Sequence, residues 1–154
     1  MTALGVYVAT VGGTGYAPFA PGTVGSAVGV AIYLVMFYLG MPASFQVGLT
    51  VIVIIGGTWA AGEAARHFQQ EDPSPVVVDE VAGQMATLVL TGATLKGALI
   101  GFVVFRVLDV IKPWPASRFE RLHGGVGIMA DDVMVALYGN LILQAVFFRF
   151  PDFA

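Results

Sequence analysis

Cysteine is absent from this 154-residue chain. Its absence excludes disulfides, thiolate metal sites and cysteine nucleophiles, and it leaves the redox compartment unreadable. Charge is scarce too: Asp, Glu, Lys and Arg make up 11% of the residues, against about 25% in an ordinary soluble domain. The net charge of −3 argues against nucleic acid as a partner. The opening MTALGVYVATVGG lacks a positively charged n-region, so no cleaved signal peptide is expected. There is no internal repeat and no low-complexity linker. What fills the chain is apolar, 57% of it. These features place it among all-α integral membrane proteins, as a single membrane-embedded domain over residues 1–154.

The hydrophobic runs predict about five short transmembrane helices after an N-terminal interfacial or re-entrant segment. Residues 4–22 are apolar but broken by Gly12, Gly13, Gly15, Pro18, Pro21 and Gly22, a density that prevents a regular spanning helix. The first span follows Pro21-Gly22-Thr23-Val24-Gly25-Ser26 and ends at Gly40; the second covers roughly 46–62. A polar loop over 63–80 comes next. Residues 81–111 as one helix would measure about 46 Å, too long for a ~30 Å hydrocarbon core, with Lys96 near its middle. A hairpin of 81–92 and 97–111, turning at Gly92–Gly97, is the better reading. The last span is about 133–150. All three polar segments then share one face, with Arg66, Arg106, Lys112, Arg118 and Arg121 on it and Lys96 and Arg149 opposite. By the positive-inside rule that face is cytoplasmic.

The few charges are concentrated. Nine of the nineteen Asp, Glu, Lys, Arg and His residues fall in the 28 residues from Phe105 to Asp132. Asp79-Glu80 and Asp131-Asp132 each stand at the predicted start of a helix, where acidic residues can simply complement the helix dipole. Two acidic pairs brought to one face repel each other unless a cation lies between them, and carboxylate oxygens suit Mg²⁺. Arg106, Asp109 and Lys112 recur every three residues along one side of a helix end. They read either as a salt-bridge ladder with snorkelling cations or as part of a site. Arg118, Glu120 and Arg121 could equally be solvated charges on anionic headgroups. His123, before Gly124-Gly125, could be a general acid, a ligand or a loop residue. The Pro21–Ser26 stretch reads as a phosphate-binding helix start with Thr23 and Ser26, or as an ordinary start capped by Thr23. No Lys follows its glycines, so it is not a Walker A loop.

Four blocks, in order, make the chain resemble the phosphatidylglycerophosphatase A family. They are Gly15-Tyr16-Ala17-Pro18-Phe19-Ala20-Pro21-Gly22-Thr23-Val24-Gly25-Ser26; Val78-Asp79-Glu80 with Gly83; Phe105-Arg106-Val107-Leu108-Asp109 leading to Lys112-Pro113-Trp114-Pro115; and His123-Gly124-Gly125-Val126-Gly127-Ile128-Met129-Ala130-Asp131-Asp132. The resemblance implies Mg²⁺-dependent hydrolysis of phosphatidylglycerophosphate to phosphatidylglycerol and phosphate in the bacterial inner membrane. The expected catalytic set is Asp79, Glu80, Asp109, Lys112, Asp131 and Asp132, its five carboxylates being the candidate metal ligands. Thr23, Ser26, Arg106, Lys112, Arg118, Arg121 and His123 are the candidate phosphate contacts.

Other phosphatase routes lack their parts. Cysteinyl-phosphate chemistry needs a cysteine, the aspartyl-phosphate route an Asp-x-Asp pair, and the histidine-nucleophile lipid phosphatases a Ser-Gly-His arrangement. Metal-assisted attack of water on a phosphate monoester remains. Two rivals stay open. A phospholipid headgroup transferase would carry spaced Asp residues after an Asp-Gly. A small transporter or channel subunit would place its charges at the bilayer midplane.

Overall fold

The computed structural model describes residues 2–119 and 122–154, and among them every regular element is helical. The helices are α1 (Thr2–Ala9), α2 (Pro21–Tyr38), α3 (Ala43–Phe68), α4 (Val78–Leu88), α5 (Leu95–Ile111), α6 (Ala116–Phe119) and α7 (Gly125–Arg149). Three of them, α2, α3 and α7, are long and apolar enough to cross a membrane. The 17-residue α5 stands at the lower end of the usable range of ~17–25.

The short helix α4 is the centre of the molecule. It packs against α2, α3, α5 and α7, and nine of its eleven residues are buried. At about 16 Å it could not cross a bilayer alone. It does not need to, because protein rather than lipid surrounds it. Its approach to α2 depends on small residues: a Cβ on Gly25 would lie 2.8 Å from the Val77 carbonyl oxygen, and one on Gly29 2.8 Å from that of Val81. Without side chains at these positions the two backbones meet closely, the usual route to helix contact in membranes.

The hairpin expected over 81–111 is present, with its break at 89–94 rather than 92–97. Leu90 and Gly92 both take positive φ there. Breaking a helix among apolar neighbours frees carbonyl oxygens that hydrocarbon cannot satisfy. Asn140 of α7 covers them, its Nδ2 donating to Ala86, Thr87 and Val89 at 3.3, 3.0 and 2.7 Å. The turn is anchored to the far end of the bundle. Tyr33 donates to the Ala93 carbonyl (3.1 Å), Thr94 to that of Ala154 (2.8 Å), and Lys96 to that of Asp152 (2.7 Å).

Several boundaries differ from the sequence reading. α2 begins at Pro21, because proline is pre-set for the first helical position. α3 continues to Phe68, so Glu63, Arg66 and His67 are helical, with Glu63 and Arg66 paired one turn apart. α7 begins eight residues early, at Gly125, where the chain lies against the Thr58 and Gly62 backbone. Asp131 and Asp132 therefore sit in its second turn, not at its start. The glycine-broken N-terminal stretch forms the eight-residue α1 against α3, then a 3-10 turn at Thr14–Tyr16.

This arrangement puts Thr94 and Ser117, both exposed, at opposite ends of the bundle. Single cysteines there should label with a membrane-impermeant maleimide from opposite sides of sealed vesicles. Labelling of both from one side would contradict the hairpin.

Candidate active site

At the other end of the bundle, α2, α4, α5, α7 and the 69–77 loop enclose a cavity of about 560 Å³. Asp79, Glu80, Asp109, Lys112, Asp131 and Asp132 all line it. Each arrives from a different structural cause. Asp79 and Glu80 occupy the first turn of α4, fixed by the packing of the residues around them. Asp109 ends the polar side of α5. Lys112 is the residue after α5 and takes φ 44°, with Pro113 stopping the helix. Asp131 and Asp132 are held in by the buried second turn of α7.

The five carboxylates fall into two groups. Asp109 accepts from Arg106 at 2.9 Å, and Asp131 accepts from Lys112 at 2.6 Å. Lys112 therefore does not continue a ladder with Arg106 and Asp109 along α5. Having left the helix, it reaches across to α7. The other three, Asp79, Glu80 and Asp132, each offer an oxygen within 4.8 Å of the others. Oxygens of all three (Asp79 Oδ1, Glu80 Oε2 and Asp132 Oδ2) are buried without a hydrogen-bond partner. Burial first, then the Glu80 and Asp132 carboxylates, push Asp79 well above the ordinary carboxylate range; burial likewise raises Glu80. Buried acids with unmatched oxygens facing one another are costly unless a cation joins them. A hard divalent ion with oxygen ligands fits this donor set.

The predicted phosphate contacts are less uniform. Arg106 stands behind the wall, its Nη1 reaching Asp109 and, at 3.5 Å, the hydroxyl of Ser26. Ser26 is fully buried and donates to the Gly22 carbonyl at 3.0 Å. Thr23 lies outside the lining and does not cap α2, whose cap position is Ala20. The Thr23 and Val24 amides both donate to Ala20, and Pro21 has no N–H, which leaves this helix start poor in free donors. Arg118 is exposed and stacks on Trp114 at 5.6 Å. His123, also exposed, lies 3.9 Å from Glu71, a pairing that requires a protonated imidazole. Neither lines the cavity. Arg121 and Glu120 fall outside the described residues.

Sequence reasoning passed over Glu71, Asp72, Ser74, Val110 and Leu122 of the lining, and took Gly22 and Gly127 within longer stretches without giving either a role of its own. Only the acidic pair Glu71-Asp72 carried a signal, and it read as a solvated loop. Gly22 matters by having no side chain, since a Cβ there would collide with Glu80 Oε1 and lie 3.3 Å from Arg106 Nη1. Gly22→Ala should therefore displace the Glu80 carboxylate without altering any charge. Its expected result is a fall in kcat on the order of 10–100-fold, as for a lost supporting contact, with detergent melting close to wild type. Wild-type kcat would mean that Glu80 has room to move.

A family model described as phosphatidylglycerophosphatase A matches residues 7–147. The chain is similar to phosphatidylglycerophosphatase A of Escherichia coli, 33% identical over 141 residues, covering 90% of this chain and 81% of the relative. It is 29% identical over 144 residues to the Haemophilus influenzae protein of the same name, covering 92% and 88%. It is also 32% identical over 147 residues, 91% of each chain, to a Bacteroides thetaiotaomicron protein bearing the provisional name phosphatidylinositol-3-phosphatase. No solved structure matches it.

Proposed function

Since the chain belongs to the phosphatidylglycerophosphatase A family, we propose that it hydrolyses phosphatidylglycerophosphate to phosphatidylglycerol and phosphate, with Mg²⁺ as cofactor. The observation that carries this reading is the group of three carboxylates, each with a buried, orphaned oxygen, beside a lysine in one membrane-end cavity. That is the equipment for a phosphate monoester attached to a lipid.

Asp79, Glu80 and Asp132 would hold the metal. A divalent ion bound there would neutralise phosphoryl charge and make a coordinated water acidic enough to attack. The chain's own residues do the rest. Lys112, fixed by Asp131, meets the charge that spreads over the transferred phosphoryl group. Asp109, clamped by Arg106, adjoins Asp132 and keeps that wall of the cavity in place. Arg106 is tied in turn to Ser26, so α2 and α5 are locked together at the depth of the site. Glu71, Asp72 and Ser74, all exposed on the 69–77 loop, leave a polar side through which water enters and phosphate leaves.

We place the cavity at the cytoplasmic face of a bacterial inner membrane. The support is the excess of Lys and Arg at that end of the bundle. Phosphate release by purified protein from phosphatidylglycerophosphate, with and without Mg²⁺, tests the reading. Phosphatidylinositol 3-phosphate, named for the Bacteroides relative, should be assayed beside it. No phosphate from either lipid would return the chain to the headgroup-transferase or transporter alternatives.

A further inference from the structure

The cavity is polar at Glu71, Asp72 and Ser74, but another part of its wall is apolar and open. Val110 lines it and is 78% exposed. Among the described helical residues it is the exposed large apolar side chain that also lines the cavity. Leu122, the other one, lies in the segment before α7. The exposed apolar residues of α3 and α7, such as Ile52, Ile55, Leu141 and Phe148, do not reach it.

Val110 belongs to a helix with two distinct faces. Ala98, Gly101 and Phe105 of α5 are buried in the bundle. Leu99, Val103, Val107 and Val110, spaced four, four and three residues apart, point outward and are 49–78% exposed. Such spacing makes one continuous stripe along a helix. In a bilayer this stripe meets acyl chains. At its end it runs into the cavity wall, two residues before Lys112, the cation that lines the cavity among the described residues.

We propose that the lipid enters sideways along α5, one acyl chain lying on the Leu99–Val110 stripe while its phosphate passes Val110 to reach Lys112. This rests on the lipid-phosphatase reading and adds to it a route and a residue, Val110, that governs response to chain length. Two features fix the occupant as the substrate's own acyl chain. The stripe is continuous with the cavity through Val110, and its cavity end stands two residues before Lys112, the side chain assigned above to the phosphoryl group.

The test compares dioleoyl and dihexanoyl phosphatidylglycerophosphate on detergent-solubilised protein. Val110→Trp should raise KM for the dioleoyl lipid about tenfold, and for the dihexanoyl lipid, which has little chain to place on the stripe, less than about threefold. Ile52→Trp, at another exposed position, on α3, should change neither. Val110→Asn, which replaces the apolar surface without bulk, should shift the dioleoyl KM in the same direction. It carries the test if the Trp variant does not fold. Equal losses on both lipids, or wild-type kinetics on both from either Val110 variant, overturn the route along α5. Failure of the wild type to release phosphate from either lipid instead overturns the proposed function, so the two failures are told apart.

Discussion

Asp132→Asn and Glu80→Gln should each lower kcat by at least about 10³-fold, a barrier increase of about 4 kcal/mol, while detergent melting stays at or above wild type. Both substitutions are nearly isosteric. Each removes one negative charge from the three-carboxylate group whose oxygens lie within 4.8 Å of one another. If those charges existed only to complement helix dipoles, their loss would cost about 0.3–1 kcal/mol of stability and leave turnover alone. Asp132 in the second turn of α7 is already beyond the reach of that explanation. If they hold a cation, neutralising one weakens the whole site, and relief of repulsion among buried acids offsets any lost contact. EDTA should silence the wild type in the same way, with Mg²⁺ restoring it. The double variant should be no worse than either single one, because both disable one unit. Asp109→Asn should be milder, on the order of 10–100-fold, because Asp109 is matched to Arg106 and acts through the wall it forms. Retention of more than about a tenth of wild-type activity by Asp132→Asn, less than about 1.4 kcal/mol in barrier terms, would sink the metal assignment.

The second large effect concerns Lys112. Lys112→Met should reduce kcat by about 10²–10³-fold, the usual cost of removing one preorganised charge from the developing transition state. It should also destabilise, because Asp131 would be left buried opposite a thioether. Lys112 is 28% exposed, so solvent softens that penalty to about 1–3 kcal/mol. The two consequences separate in the double variant Lys112→Met/Asp131→Asn. Its melting should return towards wild type, since the buried charge at position 131 is removed together with its partner, and its activity should not. A double variant that recovered activity would show that Lys112 serves only to neutralise Asp131.

Scarcity of charge determined the membrane class without help, because a helix facing lipid has no room for ionised side chains. Lys96 and the glycines around it signalled a break in 81–111. The two acidic pairs and the Arg106–Lys112 segment were legible as one polar cluster because they stand out against an apolar chain. The sequence could not show how the cluster divides. Spacing of three residues predicts neighbours along a helix. Lys112 instead left α5 ahead of Pro113 and met Asp131, nineteen residues on, a choice made by the packing of α5 against α7. The reading of Thr23 as the cap of α2 did not hold for a related reason: Ala20 takes the cap position and accepts from the Thr23 and Val24 amides once Pro21 starts the helix, and hydrogen bonding inside a turn is invisible to composition. The short α4 was legible as the first arm of the hairpin, over 81–92, but its place at the centre of the bundle was not. Length rules assume that a spanning helix faces lipid, whereas α4 is enclosed by four others. Tertiary structure alone decided that Asp79, Glu80 and Asp132 form no salt bridge among the described residues and each keep a buried oxygen without a hydrogen-bond partner, because only the convergence of α4 and α7 brings their oxygens together.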